Sequence, residues 1–191
     1  VWMLNVKTDD IDREQAYLEK YLQQENISYD YLAVSNNQLS DIQSVCDELE
    51  VSILTFQLSK YNRATIMPYL KACRGLRIPY LFLRDDIASF PFEKLLMPVS
   101  FLVEEVEKAQ FAAAFGRHFE SELCILQAKD YGSKAAENIA KITAILDKFD
   151  LQYEVVKGKK DSFKIDFDAL HYAKDKFYDL LLITASREYG L

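Results

Sequence analysis

The chain of 191 residues is half hydrophobic and 28% charged, with a formal charge of −7, five glycines, four prolines and three cysteines. That composition excludes disorder, collagen and a disulfide scaffold, and the negative balance argues against a nucleic-acid partner, which takes a dense basic face. No apolar run approaches the roughly 20 residues of a membrane span, so no membrane partner is expected.

In chain order, short apolar runs rich in β-branched and aromatic residues alternate with segments of helical period. Strands are predicted at Trp2–Val6, Tyr29–Val34, Val51–Phe56, Tyr80–Leu83, Leu95–Val99, Leu123–Ala128, Tyr153–Val156 and Leu180–Thr184. Most are too uniformly apolar for a half-exposed strand, so they are expected to be covered on both faces. Helical stripes lie between them: Tyr17, Leu18, Tyr21 and Leu22; Ile42, Val45, Cys46 and Leu49; Ile139, Ile142, Ile145, Leu146 and Phe149. Asp12 with Gln15, and Ser40 with Gln43, have capping-box spacing. Val106–Phe119 is small or aromatic on one side (Ala109, Ala112, Ala113, Phe115) and predicts a helix packed closely onto a sheet. The alternation predicts an α/β fold: a doubly wound parallel sheet with right-handed crossovers and helices on both faces.

The chain also repeats itself. Trp2-Met3-Leu4-Asn5-Val6-Lys7 matches Cys124-Ile125-Leu126-Gln127-Ala128-Lys129, Ile27–Tyr31 matches Leu151–Val155, and Ser52–Thr55 matches Asp179–Leu182. The offset drifts from about 122 to about 127, as loop insertions produce. Both ends fall in or just after apolar runs, so the two copies read as cut at their outer ends. Arg84–Lys94, with Asp85, Asp86 and Pro91, reads as the join.

Lys94-Leu95-Leu96-Met97-Pro98-Val99-Ser100, then Glu104–Ala109, then Glu122-Leu123-Cys124-Ile125-Leu126 resembles the universal stress protein pattern. That pattern is a first strand ending Pro-Val-Asp, an acidic helix with Glu-Lys-Ala, and a second strand Glu-Leu-x-x-Leu. Arg77–Arg84, with Pro79 before an apolar run, is similar to the family's last strand. The resemblance implies two tandem Rossmann-like domains, 1–86 lacking its first strand and helix and 93–191 lacking its last helix and strand. Each would be built on a sheet of order 3-2-1-4-5. The two repeats would pair within the chain, as the family's homodimer does, and a homodimer of the whole chain is a further expectation.

Many family members bind ATP at the switch point of the sheet, using an Asp after the first strand and a Gly-rich loop after the fourth. Here Ser100 stands at the Asp position after Pro98-Val99, and Ala185 and Glu188 stand where glycines are expected. In the first copy no glycine follows the fourth strand until Gly75. The residual candidates for a cofactor contact are therefore Val99, Ser100, Ala185, Ser186 and Arg187, and the expectation is that nucleotide binding is lost.

Other candidates give less. His118 and His171 have no ligand at metal spacing and read as surface histidines. No Ser, Cys or Thr sits in a nucleophile elbow, so no catalytic residue is assigned. Cys46, Cys73 and Cys124 read as buried free thiols of a reduced, cytoplasmic protein. Asp9-Asp10, Asp85-Asp86 and Glu104-Glu105 read as turn and helix-start chemistry, and Lys157-Gly158-Lys159-Lys160 as a solvated, hairpin-like basic turn. Tyr61, Tyr69, Tyr80, Phe82, Phe90, Phe92 and Phe101 crowd the join, some packing the copies together and the rest facing a partner. The sequence thus leads to a non-catalytic stress-response module acting through protein contacts or self-association. The alternative is an ATP- or AMP-binding regulatory module using the second copy.

Overall fold

In the computed structural model, which describes residues 2–6, 19–20, 22–28, 30–34, 38–58, 62–84, 92–130 and 132–185, every strand pairing is parallel. The chain divides into two units, Val1–Asp86 and Ile87–Leu191.

In the first unit, β1 (Trp2–Val6) pairs with β2 (Asp30–Val34), and β3 (Leu54–Leu58) with β4 (Tyr80–Arg84). Residues 19–20 and 22–24 between β1 and β2 are helical, with Leu22 buried. Helix α1 (Ile42–Glu48) follows a 3₁₀ turn over Gln38–Asp41. The expected Ser40 cap is displaced by that turn: Asp41 stands at the cap, and no side-chain capping bond forms. The strand expected from Val51 begins only at Leu54. The Val51 amide instead closes the end of α1 on the Cys46 carbonyl at 2.9 Å, beside Glu50 at φ 50°. Helix α2 (Arg63–Ala72) starts at Asn62, whose Oδ1 accepts from the Thr65 amide at 3.0 Å. Ile42, Cys46, Leu54, Cys73 and Leu76 form one core, with Tyr80 and Phe56 packed at its margin. Asp12, Gln15, Tyr17, Leu18 and Tyr21 lie outside the described residues.

The second unit runs β5 (Lys94–Val99), α3 (Lys108–His118), β6 (Glu122–Gln127), α4 (Lys134–Asp147), β7 (Tyr153–Lys157), α5 (Ile165–Lys176) and β8 (Leu180–Leu181). Its sheet has the spatial order β7-β6-β5-β8. Two crossovers therefore move one way from β5, and the third returns to its other side. Right-handed connections put α3 and α4 on one face and α5 on the other. On the α5 face, Leu96, Cys124 and Leu126 pack with Ile165 and Ala169. The pleat sends Leu95, Met97, Val99, Leu123 and Ile125 to the opposite face, and all five are buried. Close approach of α3 is steric: a Cβ on Gly116 would come 3.1 Å from Leu151 and 3.3 Å from Leu123, beside buried Ala109, Ala112 and Ala113.

Three expectations are corrected. The five-stranded sheet is not found: among the described residues the sheets have two, two and four strands, because neither β1 nor β2 bonds to β3 or β4 and only β5 pairs with β8. Strand β7 is not covered on both faces; it is an edge strand whose Glu154 and Val155 face solvent. The helix expected from Val106 begins at Lys108, after a 3₁₀ turn over Val103–Glu107. Of the aromatic residues expected at the join, Tyr61 and Phe90 lie outside the described residues. Phe56 meets Tyr69 and Phe82 at 5.0 and 5.1 Å in the first unit, and Phe92 meets Phe115 and Phe119 at 5.2 and 5.1 Å in the second.

Candidate functional site

In a sheet of this winding, a ligand crevice opens where neighbouring strands send their connections to opposite faces. That point is the carboxyl end of β5 beside β8, where Pro98 stands just beyond the β5–β8 ladder. Alternate residues of β5 bond to alternate sides: Val99 O accepts from Ala128 N toward β6 at 3.0 Å, and Leu96 O accepts from Leu182 N toward β8 at 2.9 Å. Pro98 shares the β8-facing phase of Leu96, so its missing N–H costs no bond to β6. The β5–β8 ladder stops there, which is why the strand expected over Leu180–Thr184 is confined to Leu180–Leu181.

Side chains of the chain itself fill the fork. Lys108 Nζ donates to the free Pro98 carbonyl and pairs with Glu105. Both side chains are about 95% buried, with 6% and 5% of their surface exposed. Ser100 Oγ and, at 3.2 Å, Ser100 N donate to Glu105 Oε1. Thr184 Oγ1 donates to the other carboxylate oxygen at 2.9 Å. Ser100 Oγ in turn accepts from Leu102 N at 3.2 Å, and Asn138 Nδ2 donates to the carbonyls of Ser100 and Leu102 at 3.0 and 2.7 Å. The buried ion pair thus has the additional hydrogen bonds that offset desolvation. Asp166, an exposed residue, is near enough to feel this cluster: partial desolvation raises its pKa, the Lys108 ammonium lowers it and the Glu105 charge raises it.

A second set of bonds ties the adjoining loops together. Phe101 N donates to Ser162 Oγ at 2.9 Å, and Ser162 N donates to Asp130 Oδ1 at 2.9 Å. Asp168 Oδ2 accepts from the amides of Lys159 and Lys160 at 2.5 and 3.3 Å. Residues 158–160, which follow Lys157 at the end of β7, therefore belong to a crossover loop leading into α5, not a hairpin turn. Gly158 is required there: a Cβ would come 2.7 Å from Ile165 Cδ1 and 3.0 Å from Gln127 O.

Of the sequence candidates, Val99 and Ser100 are buried at the fork, with the Ser100 hydroxyl engaged by Glu105. Ala185 is exposed, and Ser186 and Arg187 lie outside the described residues. The residues that dominate the fork, Glu105, Lys108, Asn138 and Thr184, were not among those candidates. The legible signal is an i, i+3 acid–base pair a few residues after a strand with proline next to its end; by position alone Glu105 reads as helix-start chemistry. His118 and His171 are exposed, and no cluster of three or more metal-ligating side chains occurs among the described residues. All three thiols are free and buried; burial pushes Cys73 and Cys124 up to about 12 and raises Cys46. No helix among the described residues is long and apolar enough to cross a membrane. No known protein family, curated protein or solved structure matches the chain.

Proposed function

We propose that the chain is a universal-stress-protein-like module, a tandem of two related α/β units, that has lost nucleotide binding and works through protein contacts, without catalysis. The observation that carries the loss is the filled fork: Glu105 places a carboxylate where a nucleotide would approach, and its oxygens already bind Ser100, Lys108 and Thr184. A nucleotide would have to break a buried pair, a step that costs on the order of 3–5 kcal/mol. The tandem reading is supported by topology. Counted within its own unit, the second sheet has the order 3-2-1-4. The first unit's β1·β2 and β3·β4 ladders are the 2·3 and 4·5 pairings of a 3-2-1-4-5 sheet without its first strand.

Contact through surfaces is supported by apolar exposure. Phe163, Phe167 and Leu170 follow one another at i, i+4 and i+7, exposed by 77%, 67% and 54%. Phe101 extends the patch from the β5 loop, its ring 5.3 Å from that of Phe163. Such a patch suits a protein partner or a second copy of the chain.

The test is calorimetry with Mg²⁺–ATP, with adenosine as competitor. The reading expects no ATP binding for which adenosine competes. Micromolar binding (about −8 kcal/mol) that adenosine displaces would overturn it in favour of an ATP- or AMP-binding regulatory module.

A further inference from the structure

We propose that the carboxyl ends of β6 and β7 form a binding site for a small molecule carrying two or three phosphate groups. The fold brings together lysines that are about 30 residues apart in the chain: the Lys129 amide, just after β6, donates to the Lys160 carbonyl in the loop after β7, at 2.8 Å. Lys129, Lys157 and Lys159 line a depression of about 470 Å³ together with one carboxylate, Asp130, and Lys160 lies beside it. That volume is within the usual range for small-molecule sites.

The nearby carboxylates are turned to other work. Asp130 receives the Ser162 amide and hydroxyl, Asp161 receives the Phe163 amide at 3.0 Å, and Asp168 receives the amides of Lys159 and Lys160. None of the four lysine ammoniums is ion-paired among the described residues. Lys157 ends β7, and the loop that carries Lys159 and Lys160 is held by the close approach of Gly158 to Gln127 O and Ile165, so these lysines are displayed on a fixed frame.

Ammonium groups are compact point charges with three donors each, suited to phosphate oxygens. Three lining one depression match a di- or triphosphate better than a single carboxylate. A nucleic acid is disfavoured by the overall charge of −7, which leaves this cluster too small to hold a polyanionic backbone. The site lies on the β6–β7 side of β5, not on the β8 side where Glu105 and Thr184 meet, and stands whether or not the module reading holds.

The experiment is calorimetry of the full chain with inorganic tripolyphosphate at low salt, against Lys157→Ala/Lys159→Ala, Lys129→Ala and, as control, Lys148→Ala. All four lysines are exposed, so the fold is retained. The expected result is one-to-one binding that weakens about tenfold or more in the double variant, weakens in Lys129→Ala, is unchanged in Lys148→Ala, and falls with added salt. Adenosine does not compete, which separates this site from a nucleotide site in the fork. Absence of saturable binding, or loss that is equal in Lys148→Ala and the double variant, would overturn the proposal.

Discussion

Thr184 and Glu105, 79 residues apart, join the two sides of the β5–β8 fork through a single 2.9 Å hydrogen bond. On one side is the end of β8, on the other the 3₁₀ turn that follows β5, and between them Lys108 neutralises the carboxylate. The fork is thereby closed by charge and hydrogen bonding in a place where comparable sheets leave room for a ligand.

Breaking the pair from one side leaves a bare buried charge. Glu105→Leu and Lys108→Met are each expected to destabilise the second unit by about 3–5 kcal/mol, whereas the double variant Glu105→Leu/Lys108→Met should cost much less than the sum. Urea midpoints of the two single variants and the double variant measure this. Additive losses would mean that the pair is not coupled.

Asn138 is the donor for two carbonyls, those of Ser100 and Leu102. Asn138→Ala strands both in the interior, and a loss of about 1–3 kcal/mol is expected from equilibrium unfolding.

The glycines differ in a way that thermal unfolding can read. At Gly158 an added Cβ meets backbone and a buried isoleucine under 3.1 Å, while at Gly132 nothing lies within 4 Å. Gly158→Ala should lose about 1–3 kcal/mol and Gly132→Ala should lose none. Equal effects would contradict the crossover-loop geometry.

Thiol chemistry gives a pH-dependent outcome. An ordinary thiol ionises at 9.0, and in the folded protein Cys73 and Cys124 hold their protons to about 12, chiefly through burial. Between those values the folded chain binds more protons than the unfolded one. Stability from this source is therefore intact below about pH 9 and is lost as pH rises toward 12. Urea unfolding at increasing alkaline pH should show the decline, and Cys124→Ala should flatten part of it. At about pH 8 a thiol reagent should find no reactive group in the native protein and three in denaturant.

Periodicity made the α/β class readable, because strands such as Leu95–Val99 and Leu123–Leu126 are apolar at every position only when both faces are covered. Edges were not readable. Nothing in Tyr153–Val156 marks β7 as the rim of a sheet, since that depends on which strand lies next to it. The cofactor candidates were chosen by position in a motif, and this selected Ser100 while passing over Glu105, five residues on. A buried carboxylate shows as such only when its partners converge, and Thr184 reaches it by a crossover of the whole unit. Lys129 and Lys160 became neighbours the same way.

The order in which these contacts can form has a consequence for how the chain assembles. Glu105 and Lys108 are three residues apart and can meet as soon as their turn forms, whereas Lys94 waits for Asp179, 85 residues downstream, and Glu105 waits for Thr184. Long closures come late because the chain must first give up more entropy. During synthesis the ammonium and carboxylate are thus already matched when β8 emerges to wall them in, and β8 docks onto a neutral surface instead of a bare charge.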